Sequence, residues 1–198
     1  PTIASISGVV SLYEHAKKAV KKSSFHLKVD TGMGRIGISP SSVETFLKRA
    51  ATLESVKMEG VFMHFSSADS DAGYTRSQFL SFKKVINEVE KTGLYGKSGI
   101  VYHCANSSAM LKSPDFHLSM VRPGLCLYGL KPFHNSDKFI DTKPALSWKA
   151  RIVFIKRVPK SVSISYGRTF ITRRNSVIAT VPVGYGDGYR RSLSNMGT

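Results

Sequence analysis

The residues in this chain whose types suit chemistry are two tyrosines in glycine-rich settings, two arginines, a histidine and a short Asn-Ser pair. Tyr166 stands in I-S-Y-G-R and Tyr185 in P-V-G-Y-G-D-G-Y-R-R. A free phenol gives up its proton only near pH ~10, so a tyrosine used as acid or base near neutrality needs a cationic or hydrogen-bonding neighbour. Arg35 closes K-V-D-T-G-M-G-R, and Arg122 lies in M-V-R-P-G-L-C-L-Y-G. A guanidinium is always protonated, offers only donors and forks onto carboxylates. His64 in G-V-F-M-H-F adds an imidazole, and Asn106-Ser107 in H-C-A-N-S-S add polar side chains. Gly124 lets a backbone approach a ligand closely. Gly184, Gly186 and Gly188 shape the turn around Tyr185, and their spacing is not the dinucleotide fingerprint.

Singly, each of these residues has a plainer reading. A histidine or asparagine at a strand end stabilises a loop, a lone arginine forms a surface ion pair, a glycine makes a turn, and Tyr166 and Tyr185 are turn aromatics that pack. The elements that carry them change the balance. Residues 11–22 form an amphipathic helix and 25–29 a short apolar strand; Pro40 then opens a helix over 41–50. A strand follows at 56–65, then a helix at 74–91 with Phe79, Phe82, Val85, Ile86 and Val89 at helical spacing. Next come a strand at 99–104, a helix start at 107–111 and a strand region at 121–127. Repeated strand-helix units argue a parallel α/β sheet or barrel. Arg35, His64, Asn106-Ser107 and Arg122 with Gly124 then fall at successive strand ends, where barrels of this kind carry their catalytic and cofactor groups.

From about residue 141 the texture changes to short β-rich runs at 145–157, 162–165 and 176–183, separated by Pro, Gly and basic turns. The fold class is therefore α/β: a partial (β/α)8 TIM-like barrel over 1–140, followed by the start of a C-terminal β domain over 141–198. The chain opens at Pro1 without a methionine and stops in a Ser-Asn-Met-Gly turn with too few strands to close a β domain, which suggests an internal piece of a longer protein.

Composition removes other classes. With 41% hydrophobic and 21% charged residues, the chain can build a core, and no apolar run reaches the length of a membrane span. Cys104 and Cys126 lack C-x-x-C spacing and are too few for a disulfide framework, so a reducing cytoplasm is the default and no metal is expected. The balance of 29 basic to 13 acidic residues raises the question of a basic nucleic-acid-binding module, but the charge is scattered over a helix and several turns without interleaved aromatics. Solvated faces account for most of it.

In order along the chain, HLKVDTGMGRIGISP (26–40), GVFMHFSSAD (60–69), HCANSSAML (103–111), MVRPGLCLYGLKP (120–132), SYGRTF (165–170) and IATVPVGYGDGYRRSLSN (178–195) resemble the alanine racemases, barrel-type pyridoxal phosphate enzymes. The resemblance covers essentially the whole chain and implies an isomerase that interconverts L- and D-alanine by proton transfer at two faces, supplying D-alanine for peptidoglycan. It also implies a cytoplasmic homodimer with shared active sites and no nucleic acid or membrane partner.

The resemblance assigns roles residue by residue. Arg122 faces the pyridine nitrogen, which must then act as an unprotonated acceptor; a weaker electron sink suits simple proton exchange, whereas decarboxylases and aminotransferases carry an acidic residue there. Ser107 with the N–H groups of Gly124 and Leu125 forms the phosphate cup, and Asn106 supports it. His64 sits beside Arg122. Arg35 binds the phenolic-oxygen side of the cofactor and the substrate carboxylate. Tyr166 is the acid/base on one face, delivered to the partner subunit's barrel, and Tyr185 gates the substrate channel. Lys28 matches a position carbamylated in some members, where it holds the arginine at the Arg35 position.

The departures from the family pattern matter too. The cofactor-attaching lysine lies in a K-A-x-A-Y-G-H-G-like segment that this chain lacks, together with the neighbouring phosphate-binding tyrosine and a late Met-Asp segment, so the 198 residues alone are expected to be inactive. Met63 stands where Thr is usual, Ser66 where Ala is usual, and Gly186 where Ala is common. A racemase for serine or a broader amino-acid set, and a related barrel-type decarboxylase, are the neighbouring readings.

Overall fold

The computed structural model describes residues 1–95 and 99–196, in two compact units, Pro1–Ala145 and Leu146–Thr198. The first unit is built on four parallel strands: β1 (Thr2–Ile3), β2 (Ser23–Lys28), β3 (Val56–Phe62) and β4 (Val101–His103). Their order in the sheet is their order in the chain, as in a barrel wall. Helices α1 (Ile6–Lys18), α2 (Val43–Ala51) and α3 (Ala72–Thr92) make the crossovers, and the short α4 (Ser107–Lys112) follows β4.

Strand alternation sorts the side chains onto two faces. Phe25, Leu27 and Val29 from β2 and its extension, with Met58, Val61, Met63 and Phe65 from β3 and the residues after it, enter one core with Phe46, Leu47, Phe82, Val85 and Ile86 of the helices. Phe46 and Phe82 are fully buried, each contributing about 2–3 kcal/mol. The alternate residues, His26, Lys28, Phe62, His64 and His103, are left for the opposite face.

The helices start and stop on local signals. Asp71 caps α3 by accepting from the Tyr74 N–H at 2.8 Å, and Gly93 ends it at φ +63°. Helix α1 begins five residues before the expected 11–22 span because the Ser5 hydroxyl accepts from Gly8 N–H at 3.0 Å. It ends four residues early, where Val20 turns out of the helix at φ +53°. The strand expected over 121–127 is not formed. Pro123 has no N–H to donate to a ladder, and Leu125–Tyr128 winds instead into a 3-10 turn closed by Gly129 at φ +72°.

The second unit is a set of small antiparallel ribbons. Strand β5 (Phe154–Val158) pairs with β8 (Ser176–Thr180), and β6 (Ser163–Ile164) with β7 (Phe170–Ile171). Of the 145–157 run only residues 154–157 are strand, in β5, which continues to Val158. Ile152, Val153, Phe154, Ile155 and Val177 are each more than half exposed. The closing Ser-Asn-Met-Gly turn reaches Gly197, outside the described residues.

Candidate active site

Three neighbouring strands end in one polar row. Register pairs Lys28 with Phe62 and Phe62 with His103, so these side chains lie side by side at the carboxyl ends of β2, β3 and β4. The Phe62 ring stacks on the His103 ring at 4.7 Å, with Lys28 Nζ 5.6 Å and Arg122 Cζ 5.1 Å from its centroid. Its π face is a neutral surface on which both cations rest.

Arg122 reaches this row from the segment after α4. Its backbone N–H donates to Ala105 O at 2.9 Å, tying that segment to the chain leaving β4. Its Nη2 donates to Met63 O at 2.8 Å, and Nη1 donates to His103 Nδ1; His64 Nδ1 and Cys104 O lie at 3.5 Å from Nη2. Burial lowers its pKa, yet a guanidinium remains a cation and can only donate. The imidazole in direct contact with it is thus His103, with His64 at the margin.

Both imidazoles are held neutral. Burial, then the charges of Arg122, Arg35 and Lys28, push His64 down to about 4. Burial, then Arg122 and His26, push His103 down to about 3. Lys28 is 2% exposed and donates to Val29 O at 2.9 Å. Burial lowers it as well, opposed by Asp30 and reinforced by Arg122 and Arg35.

The D-T-G-M-G-R loop owes its shape to Asp30. Asp30 Oδ1 accepts from the N–H groups of Gly32, Met33 and Gly34 at 2.8–3.1 Å, and Oδ2 accepts from Arg35 N–H at 3.1 Å. Burial raises the Asp30 carboxyl, but these backbone donors and Lys28 outweigh it and hold the group below the usual carboxylate range. The loop is closed by Asp30 N–H to Ile38 O at 2.9 Å and Ile38 N–H to Lys28 O at 3.0 Å. Gly37 allows this closure: at φ +130°, a Cβ there would stand 2.7 Å from Asp30 N. Because the carboxylate is consumed by the loop's own N–H groups, Arg35 is carried with its side chain exposed.

Ser107 starts α4 and is buried; its hydroxyl accepts from Gly124 N–H at 2.9 Å and Cys126 N–H at 3.3 Å. Asn106 caps the same helix, accepting from Ala109 N–H at 3.0 Å. Ser107 thus gathers the Gly124 and Cys126 N–H groups at a helix start, with open space where a Gly124 side chain would be. The donors throughout this unit's site suit an anionic ligand, since Lys28, Arg35 and Arg122 are cationic and the Asp30 carboxylate is taken up by its own loop.

Tyr166 and Tyr185 belong to the second unit. They share an open cavity of about 980 Å³ with Ile164, Phe170, Arg191 and Asn195. Tyr166 is 94% exposed. Ser165 before it sits at φ +63°, ψ −168°, a region almost confined to glycine, and Gly167 and Arg168 follow at φ +70° and +53°. Arg168 Nε donates to Ser163 Oγ at 3.0 Å, and Asn195 Nδ2 to Thr169 Oγ1 at 3.1 Å, fixing both sides of the motif.

Sequence reasoning passed over His26, Gly60, Phe62 and His103. His103 opens the HCANSS segment, and with His26 it follows the period-2 inward pattern that contains Lys28 and His64. That periodicity was the available signal.

Together these features define a barrel-type α/β protein whose strand ends hold a donor-only guanidinium, neutral imidazoles and a buried lysine. Residues 1–132 match the family model for the alanine racemase N-terminal domain, and 145–198 match that for the C-terminal domain. The chain belongs to the alanine racemase family and has its fold, an N-terminal barrel domain with the start of the C-terminal domain. It is 46% identical to alanine racemase of Halothermothrix orenii over all 198 residues, and 42% identical to that of Methanococcus maripaludis over 98% of the chain. Among solved structures it resembles alanine racemase of Clostridium difficile 630 (35% identity, TM-score 0.79, 96% of this chain and 50% of that one). It also resembles that of Streptomyces lavendulae (29% identity, TM-score 0.82, 97% and 51%). The chain spans about half the length of the curated relatives it matches.

Proposed function

We propose that the protein containing this chain interconverts L- and D-alanine with pyridoxal phosphate, as a cytoplasmic homodimer that supplies D-alanine for peptidoglycan. The observation that carries the reading is Arg122, a half-buried guanidinium held by Met63 O and His103 beside two neutral imidazoles. When bound, pyridoxal phosphate supplies the electron-withdrawing ring that acidifies the amino acid's Cα–H.

The chain's own residues account for the rest. Arg122 would hold the ring nitrogen as a donor and, as a guanidinium that keeps its own protons, would leave that nitrogen an acceptor, which suits a simple proton exchange. The Gly124 and Leu125 N–H groups and the Ser107 hydroxyl would bind the phosphate at the start of α4, Gly124 giving up its present bond to Ser107 Oγ to do so, with Asn106 holding that turn. Arg35 orients the substrate carboxylate and the cofactor's phenolic-oxygen side through its fork of donors. His64 borders Arg122 as a neutral imidazole. Tyr166 moves the proton at one face of Cα in the partner's site, and Tyr185 narrows the channel mouth. The other face requires a lysine that these 198 residues do not contain, so alone they are expected to give no turnover.

Lys28 completes the reading as the site of a carbamate. The neutral form of the Lys28 amine, favoured by its lowered pKa, would add to carbon dioxide: the N–C bond forms as one C=O π bond breaks onto oxygen and the nitrogen loses a proton to solvent, and the product anion would lie among the charges of Arg122 and Arg35 that already act on Lys28. Carbon-13 NMR with labelled bicarbonate reads this modification directly.

The test is to purify the full-length protein, titrate it with pyridoxal phosphate, and follow exchange of L-alanine, D-alanine and L-serine by chiral chromatography. Cofactor binding with alanine exchange in both directions is the expected outcome. Faster serine exchange would move the substrate assignment, and carbon dioxide release would replace racemisation by decarboxylation.

A further inference from the structure

Behind Arg122 runs a second tier of histidine. His103 Nδ1 accepts from Arg122, and His103 Nε2 lies 2.8 Å from His26 Nδ1. Only one arrangement of protons satisfies both contacts. Arg122 can only donate, so His103 Nδ1 must be a lone pair; the neutral ring then carries its proton on Nε2 and donates it to His26 Nδ1. His26 in turn carries its proton on Nε2. The polarity of the chain is set at the arginine and passes outward through two imidazoles.

His26 and His103 are not on adjacent strands. They sit on β2 and β4 with β3 between them, strands that are roughly 9–10 Å apart across the sheet. The contact exists because the β3 residue opposite His26 is Gly60. A Cβ at Gly60 would lie 2.8 Å from His26 Cγ and closer still to its ring nitrogen, so any side chain there displaces the imidazole. The register shift between Phe25 and His26 is what brings the glycine into line: Phe25 pairs with Met58 and His26 with Gly60, leaving Glu59 as the extra residue. Glycine inside a strand commonly marks a bulge or a close approach, and here it serves both. Burial lowers the His26 pKa, as it does that of His103, in keeping with a relay of neutral rings.

We propose that His26, lying over Gly60, is a positioning residue that fixes the His103 tautomer and thereby the direction in which Arg122 presents its donors to a ring acceptor. The link to a ring acceptor rests on the racemase reading above; the tautomer relay itself does not. His26 touches neither substrate nor cofactor and acts through His103 alone.

The experiment uses the full-length protein with nitrogen-15-labelled histidine, with and without pyridoxal phosphate. In the parent protein His103 is expected as a single neutral tautomer with its proton on Nε2. His26→Ala should let His103 sample both tautomers, shift the nitrogen-15 signal of the labelled cofactor ring, and lower kcat about 10-fold, as loss of an outer partner to an orienting ligand commonly does. The KM for alanine should stay within about twofold, since uniform binding is untouched. His26→Asn, whose amide oxygen takes the place of Nδ1, should restore the single tautomer and most of kcat, and Gly60→Ala should reproduce the loss. A parent His103 protonated on Nδ1 or charged near neutral pH overturns the relay, whatever the variants do. So does an unchanged His103 tautomer in a folded His26→Ala protein. A parent protein that keeps the Nε2–H tautomer but binds no pyridoxal phosphate sinks the racemase reading and leaves the relay standing.

Discussion

The Arg122 cluster and the Tyr166 loop hold reactive groups by opposite means. Around Arg122, the two terminal guanidinium nitrogens and both nitrogens of His103 are held by partners on or just beyond strands whose other face is sealed in a core of Phe25, Leu27, Met58 and Val61. Around Tyr166, the side chain is almost fully exposed, and its direction is set by a backbone at Ser165 in a region few residues but glycine adopt. Burial shifts the chemistry of the first group, lowering the pKa of His26, Lys28, His64, His103 and Arg122. The second stands on a strained main chain. A cation that must keep one orientation is best built into a core, whereas a side chain that projects from its unit, as Tyr166 does, takes its direction from the main chain.

The comparison breaks most visibly when both groups are removed. Arg122→Leu deletes the donor to Met63 O and leaves His103 Nδ1 without its partner, so it is expected to lower kcat/KM about 10³-fold and to cost about 3 kcal/mol of stability. Tyr166→Phe removes one exposed hydroxyl, and should cost about 10²-fold in kcat while stability stays within about 0.5 kcal/mol. Urea denaturation and steady-state kinetics on the full-length protein separate the two. A Tyr166→Phe protein as unstable as Arg122→Leu would erase the distinction.

Acid offers a gentler version of the same contrast. His64 and His103 have folded pKa values of about 4 and about 3, below the ordinary 6.5, because burial and then Arg122 disfavour their charged forms. The unfolded chain therefore takes up their protons first as pH falls. Their stabilisation is complete above pH 6.5 and drains away between 6.5 and about 4 for His64, and between 6.5 and about 3 for His103. After solvent screening, the loss from pH 6.5 to 5 is about 1 kcal/mol. Hydrogen exchange, corrected for its intrinsic pH dependence, should lose protection in peptides from β3 and β4 over that interval, with no matching loss in those from β6 and β7. Equal losses in both would remove the imidazoles as the cause.

How far these two regions can be read from sequence differs for the same physical reason. The strand-helix alternation, with Arg35, His64 and Ser107 at or beyond its strand ends, follows from local periodicity, which a parallel strand buried on both faces still displays through its turns and helices. The pairing of His26 with His103 does not, because it depends on a register shift at Glu59 between strands more than 30 residues apart and on the missing side chain of Gly60. The 121–127 segment misleads for a related reason: its apolar residues suit a strand, but Pro123 cannot donate and Ser107 captures the N–H groups of Gly124 and Cys126. At Tyr166 the motif is plain in the sequence, while the strain at Ser165 is not, since serine there gives no sign of a glycine conformation.

That strain supplies the smallest and most discriminating change. Ser165→Gly places the residue suited to φ +63°, ψ −168° where serine is held against its preference, and among the described residues the Ser165 side chain makes no capping bond that would be lost. Relief of the unfavourable conformation is expected to add about 1 kcal/mol to the second unit, partly offset by the greater freedom glycine gives the unfolded chain. If the strained backbone aims Tyr166, the gain in stability comes with a fall in kcat of about threefold to tenfold, because the phenol then samples directions that Ser165 excludes. Thermal denaturation and racemisation measured on the same preparation read both quantities. A variant that is more stable and equally active would show that Arg168 to Ser163 and Asn195 to Thr169 suffice to hold the loop, leaving the strain without a role in catalysis.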